Sequence, residues 1–259
     1  MVLAILQARM SSSRLPGKVL KPILGQPMLL RQIERVLRSE KIDCLVIATS
    51  TDSTDNEIEA ICRDNNLKCF RGSLNDVLDR FYRAAKSFSH ENVVRLTGDC
   101  PLIDPDVIDS VIELHMEKNY DYTSNCITRT FPDGLDVEVF KYDCLKEAWE
   151  KASLPSQREH VTLFIRDHPE RFRIGNLKND IDLSDLRWTV DEELDFVFAE
   201  KIYEALYPDN PEFDTRDVLE LLSQKPELQK VNSMYNCNEG LKKSLLKDGF
   251  FRRKKSKEH

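Results

Sequence analysis

Val2-Leu3-Ala4-Ile5-Leu6-Gln7-Ala8-Arg9-Met10-Ser11-Ser12-Ser13-Arg14-Leu15-Pro16-Gly17-Lys18 opens the chain. Its first third is an apolar run; the remainder is a loop of small residues studded with cations. A short apolar run that ends in polar residues reads as a strand that delivers the chain into the loop. Ser and Gly leave backbone N–H groups approachable, and Arg9, Arg14 and Lys18 offer forked or point charges to phosphate oxygens. The first 33 residues hold five cations (Arg9, Arg14, Lys18, Lys21 and Arg31) and no acid, although the whole chain has a formal net charge of −7. That segregation reads as a polyphosphate-binding loop. The plainer alternative is a solvated basic loop, which the preceding strand and the closing Pro16-Gly17-Lys18 turn argue against.

The segments that follow alternate between short strands and amphipathic helices. A helix over 28–38 is followed by the strand Cys44–Thr49, a helix opening at Asp55, the strand Lys68–Arg71, a helix over 76–87 and the strand Asn92–Leu96. This βαβ repetition predicts an α/β fold, a mostly parallel, Rossmann-like sheet flanked by helices, with its binding edge at the strand C-termini. After a helix over 105–118 the order changes. Strands over 120–123 and 135–140, joined by a Pro132-Asp133-Gly134 turn, precede helices over 142–151 and 156–167 and a strand over 172–177. Residues 120–180 are therefore expected to form a small antiparallel and helical extension over the active edge. A strand over 186–190 and helices over 192–206 and 215–223 complete a single domain of residues 1–225. The remainder, 226–259, reads as a flexible tail, with anion or partner contact by its basic end as the alternative.

Hydrophobic residues make up 41% of the 259 and charged residues 32%, which excludes wholesale disorder. Apolar runs of about six residues are too short to span a membrane. The early Gln7 and Arg9 leave no room for a secretory signal. Seven cysteines without a Cys-x-x-Cys pair suggest free thiols in a reducing cytoplasm. The acidic balance argues against a general nucleic-acid binder.

A cationic loop holds phosphates, but transferring them calls for a metal as well. Asp99, in Gly98-Asp99-Cys100-Pro101-Leu102, and Asp191, in Thr189-Val190-Asp191, both follow strands whose ends lie at the same sheet edge. Two carboxylates plus substrate phosphates and water form a common Mg²⁺ arrangement. Asp191 equally suits a helix N-cap. Asp180-Ile181-Asp182 has the Asp-x-Asp pattern of glycosyltransferases but sits in a polar stretch that reads as a surface loop. No Ser–His or Cys–His partnership suggests a covalent nucleophile.

Ala8–Lys18 followed by Gly25-Gln26-Pro27-Met28 resembles the opening signature of the sugar-acid cytidylyltransferases, the family that activates 3-deoxy-manno-octulosonate and acylneuraminate. Gly98–Leu102 and Val190–Asp195 resemble its later motifs. Arg71–Phe81, Asp133–Glu138 and Arg158–Thr162 are similar to the branch of spore-coat polysaccharide biosynthesis proteins. The likeness covers roughly residues 2–220. It implies a nucleotidyltransferase sheet of the kind shared with GT-A glycosyltransferases, and a reaction in which CTP and Mg²⁺ activate a nonulosonic or other acidic sugar. It further implies that Arg9, Arg14 and Lys18 hold the triphosphate, that Ala8 and Asp99 also contact the nucleotide, and that Asp99 and Asp191 bind Mg²⁺. Arg71, Ser73 and Asp76 would lie by the base and ribose. Gly134, Asp136, Glu138, Glu159 and His160 would face the sugar. Lys18, Arg14 and Asp99 would carry the chemistry.

Other readings stand beside these. Asp136 and Glu138 alternate with Val137 and Val139, as the solvent face of a half-buried strand would. His160 suits a core or capping role as well as a ligand. A GT-A-type glycosyltransferase using a nucleotide-sugar donor is the alternative enzyme, and a nucleotide-binding scaffold the alternative without catalysis. Oligomeric state is open, with a homodimer through the extension as one option.

Overall fold

The computed structural model describes residues 1–88, 90–235 and Asp248. The opening apolar run forms β1 (Val2–Gln7). A small hairpin follows, β2 (Pro22–Ile23) and β3 (Gln26–Pro27), and then α1 (Met28–Val36). The alternation expected from sequence continues through β4 (Cys44–Ser50), α2 (Asn56–Asp64), β5 (Lys68–Gly72), α3 (Val77–Lys86), β6 (Asn92–Thr97) and α4 (Pro105–Lys118). The second half contributes β7 (Tyr122–Ser124), β8 (Glu138–Lys141), α5 (Tyr142–Lys151), α6 (Pro155–Glu159), α7 (Leu163–Arg166) and β9 (Ile174–Asn176). It ends in α8 (Glu193–Leu206), α9 (Thr215–Gln224) and α10 (Pro226–Gln229).

Among the described residues the main sheet has seven strands in the order β5-β4-β1-β6-β8-β7-β9, and only β8 runs against the rest. β1 explains why its sequence lacks polar alternation. Val2, Ala4 and Leu6 join a core that includes Leu29, Ile33, Ile108, Phe198 and Ile202. Leu3 and Ile5 face the opposite core, with Leu78, Phe81 and Leu145. Each fully buried Leu, Ile or Phe among them contributes about 1.5–3 kcal/mol against exposure.

The strand order reverses at β1. Its chain neighbours β4 and β5 lie on one side and β6 on the other. In sheets of this kind the crevice for a ligand opens beyond the strand C-termini at that point. Gln7 pairs in register with Thr97, so the loop after β1 and the turn carrying Asp99 leave the sheet side by side. Gly98 permits this approach: a Cβ there would lie 2.9 Å from the Gln7 carbonyl oxygen.

Four expectations need correction. The extension is not a separate layer: β8, β7 and β9 lengthen the main sheet itself, and residues around them reach the active edge from the side. The single helix expected over 156–167 is two short ones, α6 and α7, separated by Val161 at a positive φ of 45°. The strand expected over 186–190 is extended chain with one isolated parallel bridge, Arg187 to Asp133. The strand expected from Leu135 begins only at Glu138. The basic tail lies outside the described residues. Of its residues from 236 on only Asp248 is described, and its carboxylate accepts hydrogen bonds from the backbone and hydroxyl of Ser156.

Candidate active site

The loop after β1 is pinned at both ends. The Ala8 N–H donates to Ala48 on β4, and the Met10 carbonyl accepts the N–H groups of Ser12 and Gly17. Gly17 takes the left-handed conformation, φ 72°, that the turn into Lys18 requires. Asp55, fully buried, accepts from the Met10 N–H at 2.7 Å and from the Ser50 N–H and hydroxyl.

This loop delivers Lys18 to the two aspartates. Its ammonium donates to Asp191 Oδ1 at 2.8 Å, to the Val190 carbonyl at 2.7 Å and to Asp99 Oδ2 at 3.2 Å. Arg14 Nη2 sits 2.6 Å from the other oxygen of Asp191. Burial disfavours the Lys18 ammonium, but Asp99 and Asp191 outweigh it and raise its pKa above the ordinary value. Burial likewise works to raise the Asp99 pKa, yet the Lys18 charge and hydrogen bonds from Thr97 and Cys100 bring it down to about 2.

Asp191 is not the helix cap. The cap position of α8 falls to Glu192, and Asp195 Oδ2 accepts the backbone N–H groups of Asp191 and Glu192. That leaves the Asp191 side chain to face the cations. Backbone bonds staple the two aspartate segments together: the Val190 N–H donates to the Asp99 carbonyl at 2.7 Å, and Thr189 Oγ1 to the same oxygen.

A cleft of about 340 Å³ opens above this cluster, lined by Arg9, Arg14, Asp99 and Asp191 on one side. Asp136, Glu138, Glu159 and His160 line it from the extension. A smaller cavity of about 120 Å³ adjoins it, bounded by Ala8, Arg9, Arg80 and Arg95.

Glu138 is buried rather than on a solvent face. It accepts from Arg95, from the Tyr122 hydroxyl at 2.6 Å and from Thr162 Oγ1 at 2.5 Å. Burial works to raise its pKa, but Arg95 and Arg166 outweigh it and take the pKa down to about 2. Asp136 is held by Arg129 through two bonds of 3.0 and 2.8 Å. His160 ends α6, and burial, with the nearby Arg95, lowers its pKa and favours the neutral imidazole. Burial pushes the thiols of Cys100 and Cys126 well above their ordinary pKa, which unfits both cleft cysteines as nucleophiles.

Four of the residues named from sequence serve other contacts. Arg71 directs its guanidinium to the carbonyls of Ser50 and Asp52 and to Glu59. Asp76 caps α3 and binds Arg158, and the Ser73 hydroxyl accepts from the Asp76 N–H. None of these three lines the cleft. Gly134, at φ 118°, instead packs its backbone on the segment that leads to Asp191; a Cβ there would meet the Thr189 nitrogen at 2.5 Å. Asp180 and Asp182 are exposed, and Asp182 accepts from the Ser184 N–H, so the Asp-x-Asp pattern lies on a surface turn.

Sequence reasoning missed Arg95, Asp55, Arg187 and Asp195. Arg187 is buried and holds Asp195 at 2.7 Å, fixing the start of α8. Asp195 stood in the quoted motif, and its position three residues after Glu192 was the available signal. Arg95 and Asp55 act through partners 43 and 45 residues away, Glu138 and Met10, which no local pattern reveals.

A cytidylyltransferase family model matches residues 3–206. The chain belongs to that family. A family member from Bacillus subtilis, the spore coat polysaccharide biosynthesis protein SpsF, is 35% identical over 87% of this chain and 95% of its own length. A cytidylyltransferase from Leptospira borgpetersenii superposes with a TM-score of 0.85 at 32% identity, over 91% of this chain and 99% of that one. A CMP:2-keto-3-deoxy-manno-octonic acid synthetase solved with CTP shares the fold, with a TM-score of 0.61 at 16% identity over 78% of this chain and 98% of that one. The family places the chain among enzymes that use CTP. Among the described residues no helix is long and apolar enough to cross a membrane.

Proposed function

We propose that this cytidylyltransferase uses CTP and Mg²⁺ to activate an acidic sugar, releasing pyrophosphate and a CMP-sugar for a surface polysaccharide or glycan. The single observation behind this reading is the convergence of Lys18 and Arg14 with Asp99 and Asp191 at the switch point of the sheet. The names of the relatives, a spore coat polysaccharide biosynthesis protein and a sugar-acid synthetase, support the substrate class.

The donor set fits a magnesium ion. Two carboxylates are hard oxygen ligands, and the Lys18 ammonium already sits between them as a cation would. Among the described residues no group of three or more His, Cys, Asp or Glu could hold a metal. The ion would therefore complete its shell with phosphate oxygens and water, as Mg²⁺ commonly does. Bound there, it would supply positive charge at the α-phosphate and lower the pKa of the acceptor hydroxyl.

The chain's own residues do the rest by position and charge. The sugar hydroxyl attacks the α-phosphorus as the bond to the β-phosphate oxygen breaks, pyrophosphate leaves, and the hydroxyl proton passes to solvent water. Arg14 and Lys18 offset the charge that gathers on the leaving pyrophosphate. Glu138 holds Arg95 at the cleft floor; Asp136, Glu159 and His160 offer polar atoms to sugar hydroxyls. Little covalent work is asked of the protein.

The test is pyrophosphate release with each of the four nucleoside triphosphates, Mg²⁺ and a panel of sugar acids. Release with CTP and one sugar acid is expected. No release with any triphosphate, together with consumption of a nucleotide sugar, would favour a glycosyltransferase instead.

A further inference from the structure

The Lys18 ammonium has three N–H donors, and all three are taken: by Asp99 at 3.2 Å, Asp191 at 2.8 Å and the Val190 carbonyl at 2.7 Å. In this arrangement none remains for a phosphate. The oxygens that hold it are also those of the carboxylate pair assigned to the metal. One ammonium and one divalent cation compete for the same seat.

We propose that Lys18 is a tethered counter-ion, which neutralises the paired carboxylates of Asp99 and Asp191 in the nucleotide-free enzyme and gives way to the metal when the triphosphate binds. The inference rests on the reading that these two aspartates hold the metal. Its physical basis is that two carboxylates brought to one point repel unless a cation lies between them. Asp99 comes from the turn after β6 and Asp191 from the segment before α8, and the bond from the Val190 N–H to the Asp99 carbonyl joins the two segments, so their carboxylates are forced close. Arg14 approaches the far oxygen of Asp191 and the carboxylate of Glu192. Lys18 bridges the two, from a buried stem whose four methylenes allow the ammonium to swing.

Exchange has a thermodynamic consequence. Metal binding to the free enzyme must displace an ammonium that then lacks an acceptor, so it is weak. A triphosphate supplies that acceptor, so nucleotide and metal each strengthen the binding of the other, and by the same factor. Lys18 thus acts as a positioning residue before it touches substrate.

The test is a Mn²⁺ titration of the nucleotide-free full-length chain, read by electron paramagnetic resonance without turnover. Wild type is expected to bind weakly, Lys18→Met at least about tenfold more tightly, and Lys18→Arg as weakly as wild type. Adding Asp99→Asn to Lys18→Met should abolish the gain. Equal or weaker binding by Lys18→Met overturns the proposal. Should that variant fail to fold, the Lys18 ammonium signal in the nitrogen-15 spectrum of wild type, assigned by its loss in Lys18→Arg, decides. Movement of the signal when Mg²⁺ and CTP are added together supports exchange, and an unmoved signal overturns it. Failure of pyrophosphate release would remove the catalytic reading and leave these measurements standing. Normal release with unchanged Mn²⁺ affinity would do the reverse.

Discussion

Asp195 Oδ2 accepts the backbone N–H of Asp191 at 3.0 Å while the same oxygen receives the Arg187 guanidinium at 2.7 Å. A buried ion pair thereby fixes the peptide that presents the candidate metal ligand. Asp195→Ala would leave Arg187 buried with weaker compensation and two N–H groups of the helix start without their acceptor. Removing one member of such a pair costs about 3–5 kcal/mol. A lower urea midpoint is expected, with turnover falling beyond what the unfolded fraction explains. Unchanged stability would remove the pair from the support of the site.

Gly134→Ala tests the other support. Its Cβ would meet the Trp188 carbonyl carbon at 2.6 Å as well as the Thr189 nitrogen, at a φ that side chains rarely adopt. Backbone strain of this kind costs of order 1–3 kcal/mol. The displaced segment carries Asp191, so both melting temperature and turnover should drop. A variant with wild-type melting and wild-type kinetics would show that the 188–191 segment tolerates movement.

How much of this was legible in the sequence depends on the range of the interaction. β1 and the loop to Lys18 were readable because an apolar run and a Pro-Gly turn are local signals. Asp191 was ambiguous, since any Asp before a helix is a candidate cap; only Asp195, reaching back to its N–H, resolves it. Glu138 misled for a similar reason. Alternation with Val137 and Val139 is the same whether the second face meets water or, as here, Arg95, Tyr122 and Thr162. The break at Val161 has no composition signal at all, because a valine at positive φ is imposed by tertiary packing.

His115 gives a pH prediction away from the cleft. It is buried against Thr123 and Asn92, and burial, with Lys141 nearby, lowers its pKa to about 4. The folded protein keeps this imidazole neutral where the unfolded chain takes up a proton. Its contribution is therefore complete above pH 6.5 and is lost as pH falls toward 4, by up to about 3 kcal/mol. Asp99 and Glu138, with pKa values lowered to about 2, extend the loss from about pH 4.5 downward. Unfolding free energies between pH 8 and 4 should follow this slope, and His115→Gln should flatten its upper part. A flat wild-type profile from pH 6.5 to 4 would contradict the assignment.

Lys18→Ala should lower turnover by roughly 10²–10³-fold, the usual loss when one charge-stabilising donor is removed. The variant's circular dichroism should match wild type in the presence of Mg²⁺, which can neutralise the carboxylates Lys18 leaves behind. Near wild-type turnover would exclude Lys18 from the chemistry.

The most direct test of the shared phosphate and metal site is a calorimetric titration of CTP into wild type and Asp99→Asn, with and without Mg²⁺. Tighter binding to wild type when Mg²⁺ is present, with that gain lost in Asp99→Asn, is the predicted result. An Asp99→Asn variant that binds CTP with the full magnesium dependence of wild type would contradict it.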